Sequence, residues 1–119
     1  MPLLNVMIVE DEPLIGMMME ALVSDIGGET LGPYATVASA LAAAESLDQI
    51  DVALLDYNLG KEASWPVADV LVARGVPFAF SSGQATEEIA ERFAGRPVFA
   101  KPVNEEKLRR FLRQFSRQA

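Results

Sequence analysis

Three consecutive acidic residues, Glu10, Asp11 and Glu12, close the first apolar run of this 119-residue chain, and Asp56 closes another. Ser81 and Ser82, followed by Gly83, end a third run, and Lys101, followed by Pro102, ends a fourth. Carboxylates gathered within roughly 4 Å repel by around 4 kcal/mol per pair at an effective dielectric near 20, so such a cluster calls for a cation. Magnesium suits it: the ion takes hard oxygen ligands, keeps several waters, and commonly uses one or two carboxylates together with phosphate oxygens. Manganese is the alternative metal for the same donors. A carboxylate is also a covalent nucleophile towards phosphorus. A lysine and a serine hydroxyl beside it would hold oxygens of the transferred group, because phosphoryl transfer is catalysed mainly by positioning and charge neutralisation.

Each feature alone has an ordinary explanation. Acidic residues at strand-to-helix turns often serve only as caps or helix-dipole partners. Serines before a glycine are commonly turn formers, and a single Lys-Pro is commonly surface. Their joint placement at four strand ends is what favours chemistry.

Four apolar runs have strand length: Leu3 to Val9, Val52 to Leu55, Val76 to Phe80, and Pro97 to Ala100. Helical spacing lies between and after them, at Leu14, Met18, Ala21, Leu22 and Ile26; Val37, Leu41 and Ala44; Val67, Val70 and Leu71; Ile89 and Phe93; and Leu108, Phe111, Leu112 and Phe115. Only one or two of the consecutive Met17, Met18 and Met19 can fill a core, because neighbours in sequence do not share a helix face. A weaker strand, Glu29 to Tyr34, carries Gly32 and Pro33 and fits a sheet edge, where a missing backbone donor does least harm. Glu12 and Pro13 should open the first helix, Gly27 and Gly28 close it, Gly75 close the third, and Asn104 cap the last. This alternation predicts a doubly wound α/β fold of five parallel strands and five helices over residues 1–119, with no output domain attached. In such sheets ligands bind at the carboxyl ends of the strands, where all the chemical groups above fall.

The chain has no cysteine and no histidine, which removes thiolate metal sites, cysteine nucleophiles, Ser-His-Asp chemistry and histidine ligands. Its net charge of -7 argues against general affinity for nucleic acid. Charge is unevenly placed: residues 1 to 60 hold ten acidic side chains and no lysine or arginine, whereas the last helix is basic through Lys107, Arg109, Arg110, Arg113 and Arg117. That basic face reads as a solvated surface complementing the helix dipole rather than a nucleic-acid site. Apolar runs are shorter than a membrane span and no signal peptide precedes them, so a soluble cytoplasmic protein is expected.

Val-Glu-Asp-Glu-Pro at 9–13, Leu-Leu-Asp-Tyr-Asn-Leu at 54–59, Ser-Ser-Gly at 81–83 and Lys-Pro at 101–102 resemble, in order and spacing, the four signatures of bacterial response-regulator receivers. The resemblance spans essentially the whole chain. It implies a flavodoxin-like sheet of order 2-1-3-4-5, with Asp56 as phosphoacceptor. It further implies Asp11 as a direct metal ligand, Glu10 acting through water, and the Asn58 backbone carbonyl as another ligand. Ser82 corresponds to the switch hydroxyl, Lys101 to the lysine that pairs with the phosphoryl group, and Gly83 to the position that gives both room. Asn-Leu-Gly at 58–60, Ser-Trp-Pro-Val-Ala-Asp at 64–69 and Val-Pro-Phe-Ala-Phe at 76–80 resemble the alphaproteobacterial FAT GUY receivers. That subgroup has Phe-Ala-Thr-Gly where this chain has Phe80, Ser81, Ser82, Gly83, followed by Gln84 and Ala85. Three residues before the lysine, receivers often place a Tyr or Phe that rotates on phosphorylation; here it is Val98, with Phe99 next and on the opposite sheet face. Val103 stands where Phe is common.

The function implied is a single-domain phosphorelay protein of a two-component system. It would accept a phosphoryl group from a histidine kinase or phosphotransfer protein and act on a separate protein through the last two helices and last strand, or serve as a phosphate shuttle or sink. It would promote only its own phosphorylation and dephosphorylation, not turn over a separate substrate. Against it stands a phosphorylation-independent binding module with the same fold. A metal-dependent phosphohydrolase is a third reading, disfavoured because Asn58 stands where such enzymes use a second aspartate. Flavin or nucleotide binding is weaker still, since no phosphate-cradling glycine loop follows the first strand.

Overall fold

A computed structural model describes residues 3–83, 87–93 and 95–115. In chain order the elements are β1 (Leu4–Val9), α1 (Pro13–Asp25), β2 (Gly28–Tyr34), α2 (Val37–Ser46), β3 (Val52–Asp56), β4 (Asn58–Leu59), β5 (Glu62–Ala63), α3 (Trp65–Arg74), β6 (Phe78–Ser82), α4 (Glu87–Arg92), β7 (Val98–Ala100) and α5 (Glu105–Arg113). The fold is α/β, built on a five-stranded parallel sheet of order β2-β1-β3-β6-β7. The numbers of the last two strands depart from the expected 2-1-3-4-5 because a hairpin, β4 with β5, intervenes in the chain.

Period-two alternation distributes the apolar residues between two cores. Met7 and Val9, Ala53 and Leu55, and Phe78 and Phe80 pack on one face with residues of α2, α3 and α4. Val6 and Ile8, Val52 and Leu54, and Ala79 pack on the other with residues of α1 and α5. All residues of β3 and β6 are buried, which is why those strands read as continuous apolar runs rather than alternating ones. Arg74 ties the first layer together: its guanidinium donates to the carbonyl oxygens of Ala44 and Leu47, at the end of α2. Terminal helix carbonyls lack partners within the helix, and a cation there also complements the dipole.

Boundaries differ from the sequence reading in instructive ways. Val76 follows the Gly75 cap of α3 and donates its amide back to Leu71 O; β6 starts only at Phe78, after Pro77, which has no amide to donate. Ile26 and Gly27 end α1, while Gly28 opens β2. The expected stripe of α1 is rotated: Gly16, Met19, Leu22 and Val23 are buried, whereas Leu14 is 80% exposed and Ala21 is also exposed. A Cβ on Gly16 would come within 3.2 Å of the Pro33 ring, so the close approach of helix and edge strand there sets the rotation. Gly75 in the left-handed conformation closes α3, and the Asn104 side chain caps α5 by accepting from Lys107 N, both as expected. Gln84, Ala85, Thr86 and Arg117 lie outside the described residues.

Candidate functional site

The carboxyl ends of β1, β3, β6 and β7 bring Glu10, Asp11, Asp56, Ser82, Gly83 and Lys101 to one edge of the sheet. Glu10 follows β1 and is fixed by its amide, which donates to Tyr34 O at 3.0 Å. It is only 3% exposed. Its Oε2 accepts from the Glu12 amide at 3.1 Å, while Oε1 is buried without a hydrogen-bond partner among the described residues, 3.8 Å from Lys101 Nζ. Asp11 is exposed, and its Oδ2 accepts from Gly60 N at 3.0 Å.

Asp56 ends β3 and is 4% exposed. Its two oxygens are held differently: Oδ2 accepts from Lys101 Nζ at 2.9 Å, and Oδ1 from the Asn58 amide at 3.3 Å. Lys101 also lies 3.7 Å from Glu12 Oε2. Asp11, Glu12, Asp56, Asn58, Gly60, Gly83 and Lys101 line one open depression of about 390 Å³. Among the described residues a Cβ on Gly83 would meet only Lys101 Cβ, at 4.0 Å. Ser82 is buried at the end of β6 and is not among the groups lining the depression; its carbonyl accepts from Lys101 N at 2.9 Å, fixing the lysine's backbone.

One ammonium thus faces several carboxylates. Burial, opposed by the Glu12 amide and reinforced by the charge of Asp56, pushes Glu10 up to about 7 from 4.5. Lys101 is raised: burial opposes its charge, but the hydrogen bond and charge of Asp56, then Glu10 and Glu12, outweigh it. One donor oxygen from each of Glu10, Asp11 and Asp56 lies within 4.8 Å of the others. This all-oxygen donor set, with a buried carboxylate oxygen lacking a hydrogen-bond partner, fits a hard divalent cation.

The raised Glu10 has a stability consequence in metal-free buffer. Its folded value exceeds its unfolded one, so its contribution is fully present below about pH 4.5 and lost as pH rises through about 7. Glu10→Gln stays neutral, and should therefore be more stable than wild type at pH 8, by on the order of 2 kcal/mol, with the difference shrinking towards pH 4.5. Urea unfolding of both proteins at the two pH values, with chelator present, measures this; equal gaps at both would show that ionisation of Glu10 carries no penalty.

The hairpin was not anticipated. Asn58 pairs with Ala63 and Leu59 with Glu62, around Gly60 and Lys61. Gly60 has φ +61, a conformation natural to glycine at the first position of a two-residue hairpin loop. The turn presents the Gly60 amide to Asp11. Asn-Leu-Gly-Lys at 58–61 was the available signal, a glycine between two short segments too brief to show alternation.

No protein-family model matches this sequence, and no curated protein matches it. Solved structures do. SdrG from Sphingomonas melonis Fr1, a solution structure, is 42% identical, with 95% of this chain and 96% of that chain covered, at a TM-score of 0.80. The BeF3-activated conformation of SdrG from Pseudomonas melonis Fr1 is 43% identical, covering 95% and 97%, at a TM-score of 0.74. The Erythrobacter litoralis PhyR response regulator REC domain is 27% identical, covering 98% and 95%, at 0.81.

Proposed function

Because the chain belongs to the response-regulator receiver family, we propose that it accepts a phosphoryl group on Asp56 from a histidine kinase or phosphotransfer protein and signals through protein contacts. The observation that carries this reading is the grouping of Asp56 with Glu10, Asp11 and the Lys101 ammonium. In the transfer an Asp56 oxygen bonds to phosphorus while the phosphorus–nitrogen bond of the donor phosphohistidine breaks, its electron pair leaving with the ring nitrogen. Asp11 and Asp56, Glu10 through water, and the Asn58 carbonyl would hold magnesium, which would supply charge neutralisation for the phosphoryl oxygens. Lys101 neutralises a further oxygen, and Glu10 and Glu12 keep its ammonium within reach of Asp56.

Incubation with acetyl phosphate should add the mass of one phosphoryl group in the presence of magnesium and none with chelator, as read by intact mass spectrometry. Absence of any gain with magnesium would defeat the reading in favour of a phosphorylation-independent module. Asp11→Ala should lose measurable magnesium binding by calorimetry, since few protein ligands share the ion; unchanged affinity would remove Asp11 from the ligand set.

The partner surface we assign to α4, α5 and β7. A second depression there is lined by Val98, Phe99, Ala100, Pro102, Asn104 and Lys107, and α5 also carries the exposed Arg110 and Arg113. This mixture of apolar floor and basic rim suits a protein partner with acidic residues. Among the described residues no helix is long and apolar enough to cross a membrane.

A further inference from the structure

Arg92, the last residue of α4, reaches across to α3. Its guanidinium carbon lies 4.3 Å from the centre of the Trp65 ring, and Nη2 lies 3.6 Å from Asp69 Oδ2. Trp65 and Asp69 are four residues apart on α3, so they share one helix face and grip the same cation. Trp65 is the single tryptophan of the chain and is 39% exposed.

We propose that this contact is a latch: it fastens α4 to α3 in the unphosphorylated protein, and its release helps to set how readily the phosphorylated conformation forms. The proposal rests on Asp56 being the phosphoacceptor.

The two sides of the latch are anchored differently. The start of α3 is tied to the metal loop, since Ser64 N donates to Tyr57 O at 2.7 Å and the β4–β5 hairpin carrying Asn58 leads directly into it. By contrast, α4 follows the connection from Ser82 and is seated through Ile89 and, just beyond its end, Phe93, which packs on Phe78 and Phe80. A phosphoryl group that draws the Ser82 end of β6 towards Asp56 would shift α4 while the start of α3 stays with the β4–β5 hairpin. Arg92 spans that boundary.

The strength of the contact suits a latch. An ion pair exposed by half on each side is weak, and a partly exposed cation–π contact adds a comparable amount. Together they bias a two-state equilibrium by about fivefold, or about 1 kcal/mol. Such a bias shifts a threshold without preventing the change, because a ligand's apparent affinity scales with the fraction of competent protein.

The test titrates fluoroberyllate with magnesium into the full chain, following bound fluorine by 19F NMR and Trp65 by its emission. Wild-type emission should change in step with fluoroberyllate binding as the guanidinium leaves the ring. In Arg92→Ala the emission should be near its released value from the start, and half-saturation should fall about fivefold; Arg92→Lys, which keeps charge without the planar stack, should lie between. Asp69→Asn should move half-saturation in the same direction by less, and serves as the readout if Arg92→Ala folds poorly. Bound fluorine with unchanged Trp65 emission, or unchanged half-saturation in the folded variants, would overturn the latch. No bound fluorine in wild type would instead defeat the phosphoacceptor reading, and the latch with it.

Discussion

Asp56→Asn should remain folded and take up no phosphoryl group from acetyl phosphate and magnesium, under conditions in which the wild-type chain gains one. Among the described acidic residues at this edge of the sheet, Asp56 is the one that takes a direct hydrogen bond from the Lys101 ammonium, at 2.9 Å, and it lies within the cluster formed with Glu10 and Asp11. Its two oxygens are held by Lys101 and by the Asn58 amide, so the attacking atom is presented in a fixed orientation rather than swinging in solvent. An amide oxygen in the same place is neutral and far less nucleophilic. Folding should survive because the substitution is close to isosteric, removes one of several mutually repelling carboxylates, and leaves Lys101 near Glu10 and Glu12. Its effect on stability should therefore stay within about 1 kcal/mol in either direction. Intact mass measurement of both proteins decides the matter. A full phosphoryl gain in the variant would move the acceptor elsewhere in the chain.

Much of this site is legible in the sequence, for a topological reason. In a parallel sheet the polar residues that terminate apolar runs all point to the same edge, so Glu10, Asp11, Asp56 and Lys101 could be placed together by reading where each run stops. What stayed hidden depended on three-dimensional proximity without periodicity. The Gly60 amide that holds Asp11 sits in a hairpin of two-residue strands, too short for alternation to show. The rotation of α1, which exposes Leu14 and buries Met19, follows from the contact of Gly16 with Pro33, residues 17 positions apart. Arg92 over Trp65 joins two helices through side chains that each look like ordinary surface in sequence. In β6, Ser81 and Ser82 proved to be buried strand residues rather than turn formers, since Ser81 pairs with both Asp56 and Phe99 across the sheet.

That placement of Ser82 shapes the last expectation, which concerns how a phosphoryl group would be sensed. Val98 stands where receivers often have a rotating ring, and it packs against the core that contains Phe80, Ile89 and Phe93. Phe99 belongs to the opposite core, where its ring meets Phe111 at 5.7 Å between centroids. Neither supplies an aromatic swing on the α4 side, so the response must travel through the end of β6 and α4 themselves. A phosphoryl group brings roughly two negative charges and three strong acceptor oxygens, enough to recruit the Ser82 hydroxyl and hold the Lys101 ammonium. Among the described residues the apolar anchors of α4 are Ile89 and, just beyond its end, Phe93, and a short helix seated through them is the segment expected to yield. Fluoroberyllate with magnesium should accordingly shift backbone NMR signals most strongly over residues 82–93. Ser82→Ala should still bind fluoroberyllate at Asp56, with those shifts reduced to about half or less, because the charge arrives but the hydroxyl that converts it into displacement does not. Equal shifts in the variant, or shifts confined to Glu10, Asp11 and Asn58, would mean that the acidic site and α4 are not coupled through Ser82.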